Sequence, residues 1–134
     1  SKEGGVLKKL YPIFKLFLGV PIGSGSQLIS WIHINDMVNI IKSSIKDKKM
    51  QGVFNAVTPQ VISNREFTKE LASVLYRPLY PTFLNAPSFI VRLLFGEQSS
   101  LVLNGLNISS KKIIDSGFKF SFSNINKALK DIYS

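Results

Sequence analysis

The chain has 134 residues, enough for one domain, and its 45% hydrophobic content excludes a chain that is disordered by composition. It contains no cysteine, which excludes disulfide frameworks, zinc–thiolate sites and thiol nucleophiles. The net charge of +9 is spread over lysines near predicted helix ends, where they complement helix dipoles, so nucleic acid is not an expected partner. With no long apolar run and no signal-peptide pattern, we expect a cytoplasmic protein without a membrane partner.

The first third of the chain alternates between helical and extended patterns. Residues 6–18 carry apolar side chains at helical spacing, and Pro12 predicts that this helix begins or kinks there. A loop rich in glycine follows over 19–26, and the alternation in 27–34 predicts a strand. One face of that strand would carry Leu28, Ser30, Ile32 and Ile34, and the other Ile29, Trp31 and His33.

The middle of the chain repeats this alternation. Asn35 or Asp36 is suited to cap a helix whose apolar stripe would contain Met37, Val38, Ile40, Ile41 and Ile45. The apolar residues 53–57 predict a short buried strand. A capping-box pattern at 63–66 then predicts the start of a helix over about 65–76.

The last third predicts short helices and one strand. A proline-rich irregular segment at 77–87 precedes a short amphipathic helix at 88–96. The remaining expectations are a helix capped by Ser109 or Ser110 and ended by Gly117, a strand with Phe118, Phe120 and Phe122 on one face, and a last helix capped by Ser123.

Alternating helices and strands predict an α/β fold with crossover units around a parallel sheet. Two or three short strands cannot cover both faces of such a sheet or close its edges. We therefore expect the C-terminal part of a Rossmann-like, doubly wound fold over residues 1–77. Residues 78–134 would form a small, mostly helical C-terminal domain on the substrate side.

Two segments resemble those of a known enzyme family. The stretch "PIGSGSQLISWIHINDMV" resembles the G-D-G-x-Q-x-R-D-F-V-x-V-D-D-V motif of extended short-chain dehydrogenases/reductases, the NAD(P)-dependent epimerase/dehydratase family. The stretch "GVFNAVTPQVISNREFTKELASVL" resembles the G-x-x-Y-N-V…S-x-x-E-L segment that follows in that family. The order of "SWIHI-D", "FN-TP", "EFT" and "LL-GE" is closer to the atypical YfcH-like branch, whose C-terminal part is a domain of unknown function.

The resemblance implies an oxidoreductase or isomerase that binds NAD or NADP mainly through a preceding Rossmann half with a Gly-rich turn. No such turn occurs in this chain, which is therefore not expected to bind the cofactor or to be catalytic by itself. The expected partners are that N-terminal half and an unknown small-molecule substrate, with homo-oligomerisation possible. The candidate substrate-binding residues are Gly23, Ser24, Gly25, Gln27, Trp31, His33 and Asn55.

Each candidate residue also has a structural explanation. The Gly23-Ser24-Gly25 turn could hold an anion through its amides, or could simply be a tight turn. His33 could transfer protons, although a packed histidine at a strand end is the more common situation. Tyr11 and Lys15 match the Tyr-x-x-x-Lys pair of the family but follow the expected cofactor half, so helix surface is favoured. Asn55 could tie the strand at 53–57 to a neighbouring loop or touch the substrate.

One position departs from the family motif. The motif's Arg, which contacts the diphosphate in sugar-nucleotide enzymes, aligns with Ile29, which argues against a nucleotide-sugar substrate held in the usual way. No spacing of metal ligands is present, and no catalytic residue is assigned. A non-enzymatic interaction or self-association module, built on an exposed sheet edge and apolar faces, is the alternative hypothesis.

Overall fold

The computed structural model describes residues 3–48, 50–79, 86 and 88–134. Within them, seven α-helices, one 3₁₀ turn and a two-stranded sheet follow one another. In chain order they are α1 (Gly5–Lys15), β1 (Leu28–Ile29), α2 (Ile34–Lys46), β2 (Ile62–Ser63), α3 (Asn64–Val74), α4 (Ser88–Phe95), the 3₁₀ turn (Gly96–Gln98), α5 (Ser99–Asn104), α6 (Lys111–Asp115) and α7 (Ile125–Tyr133). None of the helices in the described parts is long and apolar enough to cross a membrane.

The described sheet is antiparallel and very short. Leu28 pairs with Ser63, and Ile29 pairs with Ile62. Single backbone hydrogen bonds extend this pairing on both sides, from Asn64 N to Gln27 O and from Thr58 N to Trp31 O. The predicted α/β class is confirmed, but the described sheet is antiparallel and not parallel as expected, and the strand predicted over 27–34 is regular only at Leu28–Ile29.

Local sequence signals account for several helix ends. The capping box predicted before α3 is present, because Ser63 Oγ accepts from Glu66 N while the Glu66 carboxylate accepts from Ser63 N. Gly117 ends α6 with a positive φ of 86°, as predicted. Pro12 lies inside α1, which starts at Gly5, so the helix does not begin at the proline.

Two predicted caps were wrong by one to three residues. Helix α2 is capped by His33, whose Nδ1 accepts from Asn35 N, rather than by Asn35 or Asp36. Helix α7 is capped by the side chain of Asn124, which accepts from Lys127 N, rather than by Ser123. Asparagine is at least as good a cap as serine, and an imidazole nitrogen can take the same acceptor position.

Two predicted strands do not form ladders. Residues 53–57 have no strand partner among the described residues, and Val53 is 84% exposed. In residues 118–122 the phenylalanines alternate inward as predicted, but the amides of Ser121 and Phe122 donate to the carboxylate of Asp36. An extended segment needs a neighbouring backbone to become a strand, and here a side chain takes that place.

The core consists of two hydrophobic clusters. The large cluster joins α1, α3, α4 and α7, with Phe14, Leu71, Val91 and Leu129 almost fully buried. The small cluster contains Ile40, Met50 and Ile113, with Phe54, Phe118 and other half-buried side chains around them. The large cluster thus draws on both predicted portions, 1–77 and 78–134.

Gly105 allows the segment between α5 and α6 to lie directly against β1. Gly105 has a φ of +69° and lies so close to the backbone of Leu28 that a Cβ would overlap the Leu28 carbonyl oxygen. The next residue, Leu106, donates its N–H to that same oxygen at 2.8 Å. A residue with a side chain fits neither the conformation nor the space.

Candidate functional site

A cavity of about 360 Å³ opens between α1, β1 and α7. Its wall is mostly hydrocarbon, contributed by Val6 and Leu10 of α1, the segment 28–33, Phe67 of α3, Leu106, and the inner face of α7. A volume of this size is typical of small-molecule sites in proteins. Because the predicted site residues Trp31 and His33 line it, we take this cavity as the candidate site.

The polar side chains on this wall are largely engaged by the protein itself. Ser30 Oγ donates to Leu106 O and accepts from Ile108 N, at 2.8 and 2.9 Å. Asn64 Oδ1 accepts from Ile22 N at 2.7 Å. Two buried nitrogens, Trp31 Nε1 and His33 Nε2, make no hydrogen bond of good geometry among the described residues, although His33 Nε2 lies 3.3 Å from Asp131 Oδ2. The cavity therefore offers little polar surface to a bound molecule.

His33 is 3% exposed and joins three parts of the chain. Its Nδ1 caps α2, its ring packs against Phe122 at a centroid distance of 3.9 Å, and its Nε2 lies 3.3 Å from Asp131 Oδ2 of α7. Burial lowers the pKa of His33, and the nearby carboxylates of Asp131 and Asp36 oppose this shift without reversing it. The ring is therefore neutral at pH 7, with its proton on Nε2, and the contact with Asp131 is not a salt bridge.

Asp36 is fully buried and has a different role from the predicted helix cap. Its two carboxylate oxygens accept from the amides of Ser121 and Phe122, both at 2.9 Å. Both bonds connect α2 to a segment 85 and 86 residues later in the chain. Sequence reasoning placed a hydrogen-bonding carboxylate here but could not identify donors that are so distant.

The Gly23-Ser24-Gly25 turn lies apart from the cavity and does not form an open anion cradle. Gly23 N donates to Ala86 O and Gly25 N donates to Ile22 O, so both amides are used within the fold. Gln27 is buried beneath the turn and donates from Nε2 to Ile22 O at 2.9 Å. Arg65 donates from Nη2 to Ser24 O at 3.3 Å. These residues hold the turn against the start of α3.

The remaining candidates also have structural partners. Asn55 donates from Nδ2 to Ser109 O at 3.3 Å, which is the loop-tying alternative considered from the sequence. Tyr11 stacks on Tyr133 of α7, with ring centroids 5.2 Å apart, while Lys15 is exposed. Burial, followed by the neighbouring Tyr11, raises the pKa of Tyr133 to about 12. The proline-rich segment 78–87, expected to line a cleft, lies mostly outside the described residues.

Sequence reasoning missed half of the cavity wall. Helix α7 contributes Ile125, Ala128, Leu129 and Ile132, and α1 contributes four further residues besides Gly4. The helical spacing of these side chains predicts a buried face for each helix. It does not say that the two faces meet across β1. No cluster of three or more potential metal ligands occurs in the described parts of the chain.

A second surface feature lies on the outside of α2. Ile34, Val38, Ile41 and Ile45 follow a helical repeat and are 40–79% exposed. The predicted apolar stripe is therefore split: Ile40 faces the small cluster, whereas Val38, Ile41 and Ile45 face outward. Exposed Val53, at the start of the unpaired segment 53–57, is another large apolar side chain left uncovered.

Comparison with known proteins identifies relatives across nearly the whole chain. Residues 86–132 match the family model described as "Domain of unknown function (DUF1731)". The chain is 36% identical to an Arabidopsis thaliana chloroplastic homologue of epimerase family protein SDR39U1 and 37% identical to the mouse protein, over 98% of its length. It covers 37% and 44% of those two proteins.

A solved structure gives the same result. The crystal structure of human epimerase family protein SDR39U1 (isoform 2) with NADPH superimposes with a TM-score of 0.86 at 34% identity. The likeness covers 97% of this chain and 43% of the human one. The chain thus spans less than half the length of the relatives that it matches. These likenesses are consistent with the C-terminal segment of an epimerase-family protein.

Proposed function

We propose that this chain is the substrate-side, C-terminal portion of an NAD(P)-dependent oxidoreductase or isomerase of the epimerase family, in its YfcH-like branch. The observation that carries the proposal is the likeness to a crystal structure that contains NADPH, at a TM-score of 0.86 over 97% of the chain. The cofactor would be held mainly by a Rossmann-like half of the intact protein. A cytoplasmic location remains part of the proposal, and one relative is described as chloroplastic.

Neither the Gly-x-Gly turn nor the N-terminus of α3 fits the diphosphate of a dinucleotide. Such a group needs free backbone amides at a Gly-rich turn or a helix N-terminus. The one Gly-x-Gly turn uses the amides of Gly23 and Gly25 for its own fold, and the N-terminus of α3 is closed by the Ser63–Glu66 capping box. We therefore expect the present chain to contact the substrate rather than the cofactor.

The outer face of α2 supports the proposed partner half. An amphipathic helix that exposes Ile34, Val38, Ile41 and Ile45 lacks a covering layer, and the unpaired segment 53–57 lacks a strand neighbour. A parallel sheet with helices on its faces supplies both kinds of contact. We therefore expect the Rossmann-like half to pack on α2 and to pair along residues 53–57.

In this account the chain's own residues bind and orient a substrate. The hydrocarbon wall of the cavity excludes water from one side of the reacting molecule. His33 fixes the start of α2 and its contact with α7, which holds the wall segment 28–33 in place. No residue of the chain is assigned a proton-transfer step, because the available acceptor of His33 is already used by the Asn35 amide.

Titration with NADPH tests the proposal. Isothermal calorimetry of the 134-residue chain should give no binding tighter than about 1 mM, whereas the intact protein should bind in the micromolar range. Gly25→Ala in the intact protein serves as a control for the anion-cradle alternative and should leave NADPH affinity unchanged once folding is verified. Micromolar NADPH binding by the isolated chain would contradict the proposal.

A second candidate function is a self-association module. The exposed stripe of α2 is the observation that favours it, because exposed apolar stripes of this kind also form helix–helix interfaces. Sedimentation equilibrium over a hundredfold concentration range distinguishes the two. A dimer that is abolished by Ile41→Lys and retained in Asn39→Lys, which adds the same charge elsewhere on α2, would favour self-association.

A further inference from the structure

We propose that the cavity between α1, β1 and α7 binds a small, uncharged molecule with a hydrocarbon body, and not a sugar nucleotide. The inference deepens the proposed function, on which it rests only in calling this molecule the substrate. Binding itself depends on the cavity alone. We infer it from the volume of the cavity, the apolar composition of its wall and the hydrogen bonds that its polar groups already make.

The volume of the cavity suits a small molecule. About 360 Å³ lies within the range of small-molecule sites in proteins. The cavity is partly open to solvent, because Val6 and Leu106 on its wall are 44% and 48% exposed. Side chains such as Leu10, Phe67 and Leu129 leave dispersion contacts unmade there. A hydrocarbon occupant recovers these contacts and displaces water that finds few polar partners on this wall.

The polar groups of the wall make a sugar a poor occupant. The side chains of Ser30 and Asn64 already hydrogen-bond to the backbone of Leu106, Ile108 and Ile22. His33 Nδ1 already accepts from Asn35 N. Trp31 Nε1 makes no hydrogen bond and is inaccessible to solvent, and His33 Nε2 faces Asp131 Oδ2 at 3.3 Å. Hydroxyls of a sugar would lose their water partners and find few side-chain partners on this wall, and each group left without a partner costs about 1–3 kcal/mol.

Charge leads to the same conclusion. None of the described residues that line the cavity is a lysine or an arginine, although the chain carries 17 such residues. A nucleoside diphosphate needs cations or free amides around its phosphates. Ile29, at the position where the sugar-nucleotide motif has its Arg, is itself part of the hydrocarbon wall.

The single tryptophan makes the inference directly measurable. Trp31 is the only tryptophan of the chain and lines the cavity, so a ¹⁵N-labelled sample gives one indole resonance that responds to an occupant. Camphor is a suitable hydrocarbon-bodied probe, and UDP-glucose represents sugar nucleotides. We expect camphor to shift the indole resonance saturably, with a Kd of about 1 mM or tighter, and UDP-glucose to leave it unchanged.

A pair of leucine substitutions locates the binding. Leu106 lines the cavity and is 48% exposed, whereas Leu16 is 69% exposed and does not line it. Leu106→Asn should weaken camphor binding about tenfold, while Leu16→Asn should leave it unchanged. If Leu106→Asn does not fold, Val6→Asn replaces it, because Val6 also lines the cavity and is half exposed.

Several outcomes would overturn the inference. They are saturable indole shifts with UDP-glucose, no shift with camphor, equal affinity in the two leucine variants, and loss of camphor binding in the intact protein, which would mean that another part of that protein fills the cavity. The NADPH titration is independent of all of them. If camphor does not bind but the intact protein binds NADPH, only the proposed substrate class is wrong. If camphor binds but the intact protein does not bind NADPH, the proposed function is wrong and the cavity site remains.

Discussion

The two hydrophobic clusters differ in how completely the chain covers them. The large cluster is enclosed by four helices, and Leu71 and Val91 are almost inaccessible to solvent. The small cluster has three buried members, and Ile41 and Ile45 on the helix of Ile40, together with Val53 next to Phe54, are 52–84% exposed. The large cluster therefore stabilises the chain by itself, whereas the small cluster resembles one side of an interface.

Truncating one buried side chain in each cluster should show this difference most strongly. Leu71→Ala removes a fully buried side chain and should cost about 3–5 kcal/mol, whereas Met50→Ala in the thinner cluster should cost about 1–2 kcal/mol. Urea denaturation followed by circular dichroism measures both. Equal losses would mean that the small cluster is as well supported as the large one.

A substitution at Gly105 tests how much the close packing of the segment between α5 and α6 against β1 contributes to stability. Gly105→Ala should cost about 3 kcal/mol because its Cβ would meet the Leu28 backbone and its φ is positive. Gly96 is the matched control: its φ is +56°, but a Cβ there meets nothing within 4 Å. Gly96→Ala should therefore cost about 1 kcal/mol. If thermal melts give the two variants the same Tm, crowding at Gly105 is not important.

Asp36 connects the small-cluster side of α2 to the segment before α7. Asp36→Ala leaves the amides of Ser121 and Phe122 without their acceptor and should cost about 2–3 kcal/mol. Asp115→Ala, which removes an exposed carboxylate paired only with Lys111, should change stability by less than about 0.5 kcal/mol. Amide hydrogen exchange should speed up at residues 121 and 122 in the first variant and remain slow in the second.

How much of this could be foreseen from the sequence depends on the range of the interactions. The capping box at Ser63 and the helix end at Gly117 are local and were predicted correctly. The bonds of Asp36 and the contact of His33 with Asp131 join residues more than 80 positions apart, and no short pattern encodes them. The strand predicted at 53–57 follows a correct apolar pattern, but a strand also needs a neighbour, which the pattern does not supply.

The predicted site divides in the same way. Trp31 and His33 line the cavity, but so does every residue from Leu28 to His33, so the alternation along the strand does not single them out. Gly23, Ser24, Gly25 and Gln27 were grouped with them by the resemblance to the family motif, but their hydrogen bonds hold a separate turn. The wall contributed by α7 depends on packing between the two ends of the chain.

His33 gives the smallest predicted effect and makes stability depend on pH. Because burial holds its pKa below the ordinary value of 6.5, the unfolded chain binds the proton more readily. The stabilisation by neutral His33 is therefore complete above pH 6.5 and is lost as the pH falls below it. His33→Asn keeps a capping acceptor, and its deficit in the free energy of unfolding should shrink between pH 7.5 and pH 5.5. An unchanged deficit would show that His33 does not titrate in this window.

The central claim is that the exposed stripe of α2 is the face that the cofactor-binding half covers. Ile41→Lys is the most direct test, measured as the change in the free energy of unfolding in both the isolated chain and the intact protein. The account predicts a change below about 0.5 kcal/mol in the chain, where Ile41 is 52% exposed, and a loss of about 2 kcal/mol or more in the intact protein. Asn39→Lys should be neutral in both. An Ile41→Lys variant that leaves the intact protein as stable as the wild type would contradict the account.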